Sequence, residues 1–401
     1  MLHNQQLTYY NNKEAEKFLH KVLESISSVF KDVFYEGQTV ALILIGGYGR
    51  GEGGIVLEHG IYHPHNNLDL LYIHHDYINP SKKALVNTLL QVVSKKFNIG
   101  IDMSMITKQK LMKLNGLVIT YDMRYGHKTL LGNSDFLKNC ESFSLYNIDP
   151  IDMRQLLVNR GTLLLINRLL LCKDTLSTEE RKLIIKHTMK AIIGYGDALL
   201  YFNDLYHWSY AQKQSNMAES TSIDKKIQAL YSEAILFRFR PNYDTYLSKD
   251  LKLWNKELLE IFSVIHLNCE TINLSHPQLE WNNYLNIALE NKSYSRQNLA
   301  QKLKSCFYAI KNIPTLRELK KSNEIISYMQ LGAKGVLSLL FPYIAYKVYP
   351  RNYRVLFQKI LHIDNDNEEA LLNGFLTLWS QYGDTNFVNV LRTYNITLEK
   401  S

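Results

Sequence analysis

The sequence predicts an α+β protein in which a small mixed β-sheet domain is followed by an all-helical C-terminal region. Three observations lead to this prediction. A β-branched apolar run at 39–45 ends in a glycine-rich segment, residues 99–106 alternate between apolar and polar side chains, and helical periodicity prevails from residue 149 onward. The predicted order is helix, strand, glycine segment, strand, helix and strand, and then helices only.

The first predicted domain spans residues 1–148. Apolar side chains recur at helical spacing over 13–33, and Thr39–Ile45 has the composition of a buried strand. Residues 46–54 are predicted as a turn or loop, because so many glycines are unusual in a regular element. A hairpin is expected over 55–65.

The rest of this domain alternates between strand and helix. Residues 68–73 form a second apolar strand, 81–97 fit a helix, and 99–106 fit a strand whose polar face carries Asp102. The sheet should therefore contain strands connected both by turns and by a helix.

Helices make up the remainder, which we divide into a helical domain at 149–290 that closes a cleft and a C-terminal helical region at 291–401. Ser177 and Glu180 have the spacing of a capping box at the start of a helix that runs to about residue 201. The other predicted helices are 149–172, 222–239, 246–267, 296–311, 316–347, 351–362 and 367–382.

Composition limits the class of protein. The 401 residues include 46 Lys+Arg and 38 Asp+Glu, a net charge of +8, and 46% are hydrophobic. The longest uncharged apolar stretch, 335–346, is interrupted by Pro342 and is too short for a membrane span of ~20 residues. Four cysteines without a CxxC pair favour a reducing compartment, so we expect a cytoplasmic protein, with specialised export left open.

The candidate chemistry lies next to the glycine segment. Asn67 and Asp69 are two residues apart on a strand and therefore share a face, while Asp102 lies on the polar face of another strand. If those strands pair, the carboxylates converge on a site of hard oxygen ligands that suits Mg²⁺ or Mn²⁺. The glycines let backbone N–H groups approach a phosphate, and Arg50 would add positive charge. These are the components of phosphoryl or nucleotidyl transfer.

These motifs resemble those of the polymerase-β-type nucleotidyltransferase superfamily, nearest to the branch typified by the bacterial uridylyltransferase that modifies PII signalling proteins. The resemblance covers about residues 40–110 and is carried by Gly46-Gly47-Tyr48-Gly49-Arg50-Gly51-Glu52, Asn67-Leu68-Asp69 and Gly100-Ile101-Asp102. It implies that Gly46, Gly47 and the Tyr48 backbone hold the nucleotide phosphates. It also implies that positions 67, 69 and 102 bind the metal ions, and that Asp102 helps to deprotonate the acceptor hydroxyl.

Two features depart from the family pattern. Asn67 stands where the family has the first acid of Asp-x-Asp, and an amide offers one neutral oxygen in place of two charged ones. The segment between Gly47 and Asn67 is also longer than usual, and the hairpin at 55–65 accommodates the additional residues. The hairpin would then shape the choice of acceptor or obstruct the site.

Two basic segments are candidates for phosphate contacts. Lys182, Lys186 and Lys190 recur every four residues along one helix, and Lys190 is the predicted triphosphate ligand, with a solvated basic face as the alternative. Residues 292–322 hold eight Lys/Arg and one acid, which suits RNA, an acidic protein or solvent.

The favoured function is the metal-dependent transfer of a nucleoside monophosphate from an NTP, with ATP as the best single choice, to an acceptor hydroxyl. The acceptor is a protein or a small molecule, and nucleic acid is less favoured. The alternative is a catalytically impaired module that binds a nucleotide or a protein partner, because Asn67 replaces the first metal-binding acid.

Overall fold

The structure, a computed structural model, describes residues 5–58, 60–291, 322–350, 353–365, 367–384 and 386–393, together with Ile396 and Leu398. The predicted helix 296–311 and residues 292–321 of the basic segment lie outside this description. The described residues form two compact units. The first extends to Asp152 and includes Asp204–Tyr243, and the second comprises Met153–Asn203 and the residues from Asp244 onward.

The first unit is built on a four-stranded mixed sheet. The strands of the chain are β1 (Thr39–Ile45), β2 (Ile55–Glu58), β3 (Ile61–Pro64), β4 (Leu68–His74), β5 (Ile101–Thr107) and β6 (Lys128–Gly132). The sheet has the order β5–β4–β1–β6, in which β1 is antiparallel to β4 and β6, while β4 and β5 are parallel. Strands β2 and β3 form a separate hairpin, as predicted. Strand β6 was not predicted from the sequence.

Helices account for most of the other described residues. Those of the first unit are α1 (Lys13–Val33), α2 (Gly46–Arg50), α3 (Pro80–Phe97), α4 (Lys108–Leu111), α5 (Val118–Tyr125) and the start of α6 (Pro150–Leu170), with α8 (Tyr210–Glu219) and α9 (Lys225–Phe239). Those of the second unit are the rest of α6, then α7 (Thr178–Phe202), α10 (Asp244–Leu247), α11 (Leu251–Asn273), α12 (Trp281–Glu290), α13 (Ser322–Ala345), α14 (Arg354–Leu361), α15 (Glu368–Tyr382) and α16 (Asn386–Thr393). The predicted mixed sheet followed by a helical region is therefore confirmed.

The glycine-rich segment differs from its prediction as a turn or loop. Its first five residues form the short helix α2, and the chain leaves that helix at Gly51 with a φ of +76°. Gly49 lies so close to β1 that a Cβ on it would be 2.5 Å from the carbonyl oxygen of Leu44. Close packing on the strand thus favours a helical turn despite the low helix propensity of glycine.

Both faces of the sheet are covered. Alternate side chains of β4, such as Leu70 and Tyr72, pack with α1 and α3 in one apolar core. Leu71 and Ile73 point the other way, into a second core with Met123. Burial of both faces explains why β1 and β4 read as nearly continuous apolar runs.

Helices connected by loops make up the described residues of the second unit, and none of those residues is in a strand. The capping box that was predicted at Ser177 and Glu180 is present at the start of α7. Helix α13 is interrupted at Gly332, where φ is +67°. The pair α8–α9 belongs to the first unit although it lies within the predicted domain 149–290, and the predicted domain limits remain predictions. In agreement with the sequence, no described helix is both long and apolar enough to cross a lipid bilayer.

Candidate functional site

Two carboxylates lie side by side on neighbouring strands. Asp69 of β4 is in register with Asp102 of the parallel strand β5, so their side chains project from the same face of the sheet. Asn67, just before β4, donates a hydrogen bond from Nδ2 to Oδ2 of Asp102 over 3.0 Å. Asn67 and Asp102 are exposed and Asp69 is half-buried. The structure therefore brings together the three residues that the sequence selects as metal ligands.

Two glycines allow the backbone to approach this cluster. Ile45, the last residue of β1, pairs with Asp69, and Gly46 therefore starts α2 directly beside that carboxylate. Gly46 has a φ of +70°, and a Cβ on it would collide with the Asp69 carboxylate. A Cβ on Gly100 would likewise collide with the amide of Asn67. Glycine is thus needed on both sides of the cluster.

The donor set fits a hard divalent cation, although it is weaker than three acids would be. Asp69 and Asp102 supply charged oxygens, which Mg²⁺ and Mn²⁺ prefer. Within the described ranges no group of three or more His, Cys, Asp or Glu side chains could hold a metal ion. In this cluster only two of the three residues are acids, since Asn67 contributes an amide whose NH₂ group already bonds to Asp102.

Arg238 brings positive charge close to the second of the two glycines, Gly47. It lies in the last turn of α9, and its Nη2 would be 3.3 Å from a Cβ on Gly47. Its guanidinium carbon lies 4.2 Å from the ring centre of Tyr210. Sequence reasoning missed this arginine, because it lies 191 positions from Gly47 in the chain. Only the Arg-x-Arg pattern at the end of an apolar helix would have drawn attention to it.

The Tyr48 side chain has a structural role. It is buried, donates a hydrogen bond to the carbonyl oxygen of Gly54 over 3.0 Å, and accepts one from the N–H of Asn66 over 3.2 Å. Burial raises the pKa of its hydroxyl well above the usual range. Tyr48 therefore ties α2 to the residue that precedes Asn67, while its predicted phosphate contact, made by the backbone, remains a prediction.

Arg50 points into the first unit and pairs with Asp122. Its Nη2 donates to Oδ2 of Asp122 over 2.5 Å, and both side chains are more than nine-tenths buried. Burial is the largest single influence and by itself would lower the pKa of the guanidinium, but the charge of Asp122 together with those of Tyr210, Tyr206 and Glu52 outweighs it, and the pKa is raised. Tyr206 donates a further hydrogen bond to Asp122. The pair anchors α2 to α5, and the predicted nucleotide contact of Arg50 remains a prediction.

Lys190 lies on α7 in the second unit and is exposed. Lys182 of the same stripe forms an exposed ion pair with Glu179 over 3.0 Å. The predicted contact between Lys190 and a triphosphate remains a prediction, and it lies on a different unit from the carboxylates.

Comparison with known proteins assigns no family to the chain. The sequence matches no protein-family model, and no curated protein is significantly similar to it.

Proposed function

We propose that the protein transfers a nucleoside monophosphate from an NTP to an acceptor hydroxyl in a reaction that depends on Mg²⁺ or Mn²⁺. ATP is the favoured donor, and the acceptor is a protein or a small molecule. One observation carries the proposal: the carboxylates of Asp69 and Asp102 stand in register beside Gly46. Such a site combines groups that hold a cation with a backbone that a phosphate can approach closely.

In the proposed reaction, the acids and the glycines of the site would have different roles. Asp69 and Asp102 hold the divalent cation, which when bound offsets negative charge on the phosphate oxygens. The acceptor oxygen forms a bond to the α-phosphorus, the bond to pyrophosphate breaks, and the hydroxyl proton passes to the Asp102 carboxylate. Asp102 is exposed, so an acceptor from solution has access to it. Gly46 and Gly47 allow the phosphates to come close to the backbone.

A second candidate is a module that binds a nucleotide without turnover. It is favoured by the hydrogen bond from Asn67 to Asp102. The Asn67 amide donates to Oδ2 of Asp102, and this oxygen would otherwise be available to bind a cation. The weakened metal site would then retain affinity for the nucleotide but lack the geometry for transfer.

Titration calorimetry of the full chain with ATP and Mg²⁺ or Mn²⁺ tests the site. We expect the wild type to bind and Asp69→Ala to bind at least about tenfold more weakly, because a charged ligand is lost. Asp135→Ala is the matched control, since Asp135 is exposed and pairs only with Lys138 among the contacts described. Equal binding by Asp69→Ala and wild type would contradict the assignment, and no binding by any form would overturn both candidates.

Asn67→Asp separates the two candidates when pyrophosphate release is measured beside binding. A wild type that releases pyrophosphate, with no gain in Asn67→Asp, indicates a working variant site. If the wild type releases no pyrophosphate, while Asn67→Asp binds the metal and nucleotide more tightly and does release pyrophosphate, the protein is the binding module.

A further inference from the structure

Arg238 and Asp69 flank two consecutive glycines with opposite charges. A Cβ on Gly46 would collide with the Asp69 carboxylate, and a Cβ on Gly47 would lie 3.3 Å from Nη2 of Arg238. Arg238 is half-buried, and within the described part of the chain its buried Nε has no hydrogen-bond partner. The guanidinium therefore stands at the glycines with an unused donor.

Three cations lie around the ring of Tyr210, and Arg238 is the one that lies beside the Gly46–Gly47 pair. Arg50, Lys213 and Arg238 surround the ring of Tyr210 at 5.0, 4.0 and 4.2 Å. Arg50 is paired with Asp122, and Lys213 is completely buried. The guanidinium of Arg238, by contrast, lies 3.3 Å from the Cβ position of Gly47.

The position of Arg238 is also well defined. It lies in the last turn of α9, where a basic side chain complements the helix dipole. Its carbonyl oxygen is so close to Gly54 that a Cβ on that glycine would collide with it. Its guanidinium stacks on Tyr210, whose N–H donates to Glu52 over 2.9 Å. The helix end and the glycine segment are thus held together.

We infer that Arg238 binds the terminal phosphates of a metal-bound polyphosphate. This inference rests on the proposed function, since the cation would occupy the carboxylates of Asp69 and Asp102. A metal-bound polyphosphate carries a cation, which matches the carboxylate of Asp69 beside Gly46. It also carries negative oxygens, which match the guanidinium of Arg238 beside Gly47. Arginine suits phosphate because its planar fork donates two hydrogen bonds at once. The phosphate-binding cation then comes from α9 of the first unit, whereas the sequence favours Lys190.

Binding of ATP, ADP, AMP and inorganic tripolyphosphate, each with Mg²⁺, tests this inference on the full chain by calorimetry. Arg238→Ala should weaken binding of ATP and tripolyphosphate about 10- to 100-fold and leave AMP binding unchanged within about twofold. Arg238→Lys, which keeps the charge and is less disruptive to folding, should recover part of the loss. Arg240→Ala is the matched control from the same helix end, because Arg240 bonds to the hydroxyl of Tyr62.

The outcomes separate the inference from the proposed function. If the wild type binds ATP and Arg238→Ala binds it equally well, the inference is wrong and the proposed function stands. Equal losses for AMP and ATP in both Arg238 variants would also overturn the inference, because the arginine would then act on the shape of the site. A wild type that binds tripolyphosphate through Arg238 but never releases pyrophosphate keeps the inference and removes the transferase function. No polyphosphate binding by the wild type removes both.

Discussion

Glu52 accepts a hydrogen bond from the hydroxyl of Ser209 over 2.5 Å, although 157 residues separate them in the sequence. The same carboxylate accepts from the N–H groups of Tyr210 and Ala211 at the start of α8. An acid from the glycine segment thus caps a remote helix, where negative charge is favourable. This contact explains how α8 and α9 join the sheet unit and bring Arg238 to the glycines.

We predict that Glu52→Gln destabilises the protein by about 1–3 kcal/mol, because an amide NH₂ would face donors that now meet a carboxylate oxygen. Urea unfolding measures the loss, and amide hydrogen exchange should show faster opening of the first turn of α8. Glu219→Gln at the exposed end of the same helix is the control, since Glu219 accepts only from Ser215 among its described hydrogen bonds. Equal stability of the two variants would contradict the anchoring role.

Gly46→Ala should damage both stability and ligand binding. The left-handed backbone costs about 1–2 kcal/mol for alanine, and the collision with Asp69 adds about 1–3 kcal/mol as overpacking. Gly60→Ala is the matched control, because Gly60 has a similar φ of +82° and nothing within 4 Å of an added Cβ. The difference between the two variants in urea unfolding isolates the collision. An equal cost in both would show that Gly46 is needed for its backbone alone.

Removing one partner of a buried ion pair in the second unit should lower the free energy of unfolding strongly, whereas replacing both partners by apolar residues should lower it little. Arg154 donates to both carboxylate oxygens of Glu270, at 2.6 and 2.5 Å, and both side chains are almost fully buried. Glu270→Gln should therefore cost about 3–5 kcal/mol, while the double change Arg154→Met and Glu270→Leu should recover most of it. Glu179→Gln, which breaks an exposed pair, should cost less than about 1 kcal/mol. Denaturant unfolding of the four proteins is the measurement.

Stability should fall as the pH drops from 6.5 towards 4. His266 is buried and accepts or donates a hydrogen bond at Tyr346, and burial lowers its pKa to about 4. At pH values between the ordinary pKa of histidine, 6.5, and the folded pKa of His266, about 4, the unfolded chain binds a proton at His266 that the folded chain does not. The free energy of unfolding therefore decreases as the pH falls through this range, by about 3 kcal/mol in total. Above pH 7 this histidine should have no effect.

Melting temperatures measured across this pH range test the prediction, with His266→Gln as the variant. The variant should lose part of the pH dependence and keep the part due to His187, whose pKa burial lowers to about 3. An identical pH profile in variant and wild type would contradict the role of His266.

Local patterns in the sequence predicted the elements that carry the cluster of acids. The apolar runs at 39–45 and 68–73 were sufficient to predict β1 and β4, which carries Asp69 and begins directly after Asn67, and the capping box marked the start of α7. The helical turn of α2 and strand β6 were missed. Glycine has little preference for a helix, and residues 128–132 show no alternation of apolar and polar side chains, so only packing against β1 determines both.

By itself, the sequence determined the succession of α1, β1, the glycine segment, the β2–β3 hairpin, β4, α3 and β5, the need for glycine at the end of β1 and the choice of Asn67, Asp69 and Asp102. These features depend on neighbours along the chain, which periodicity and composition report directly. Only the tertiary structure decided that Asp69 and Asp102 are in register, that Arg50 pairs with Asp122, and that Arg238 lies at Gly47. Those relationships join residues 33 to 191 positions apart, and strand pairing and close packing, rather than local preference, bring them together.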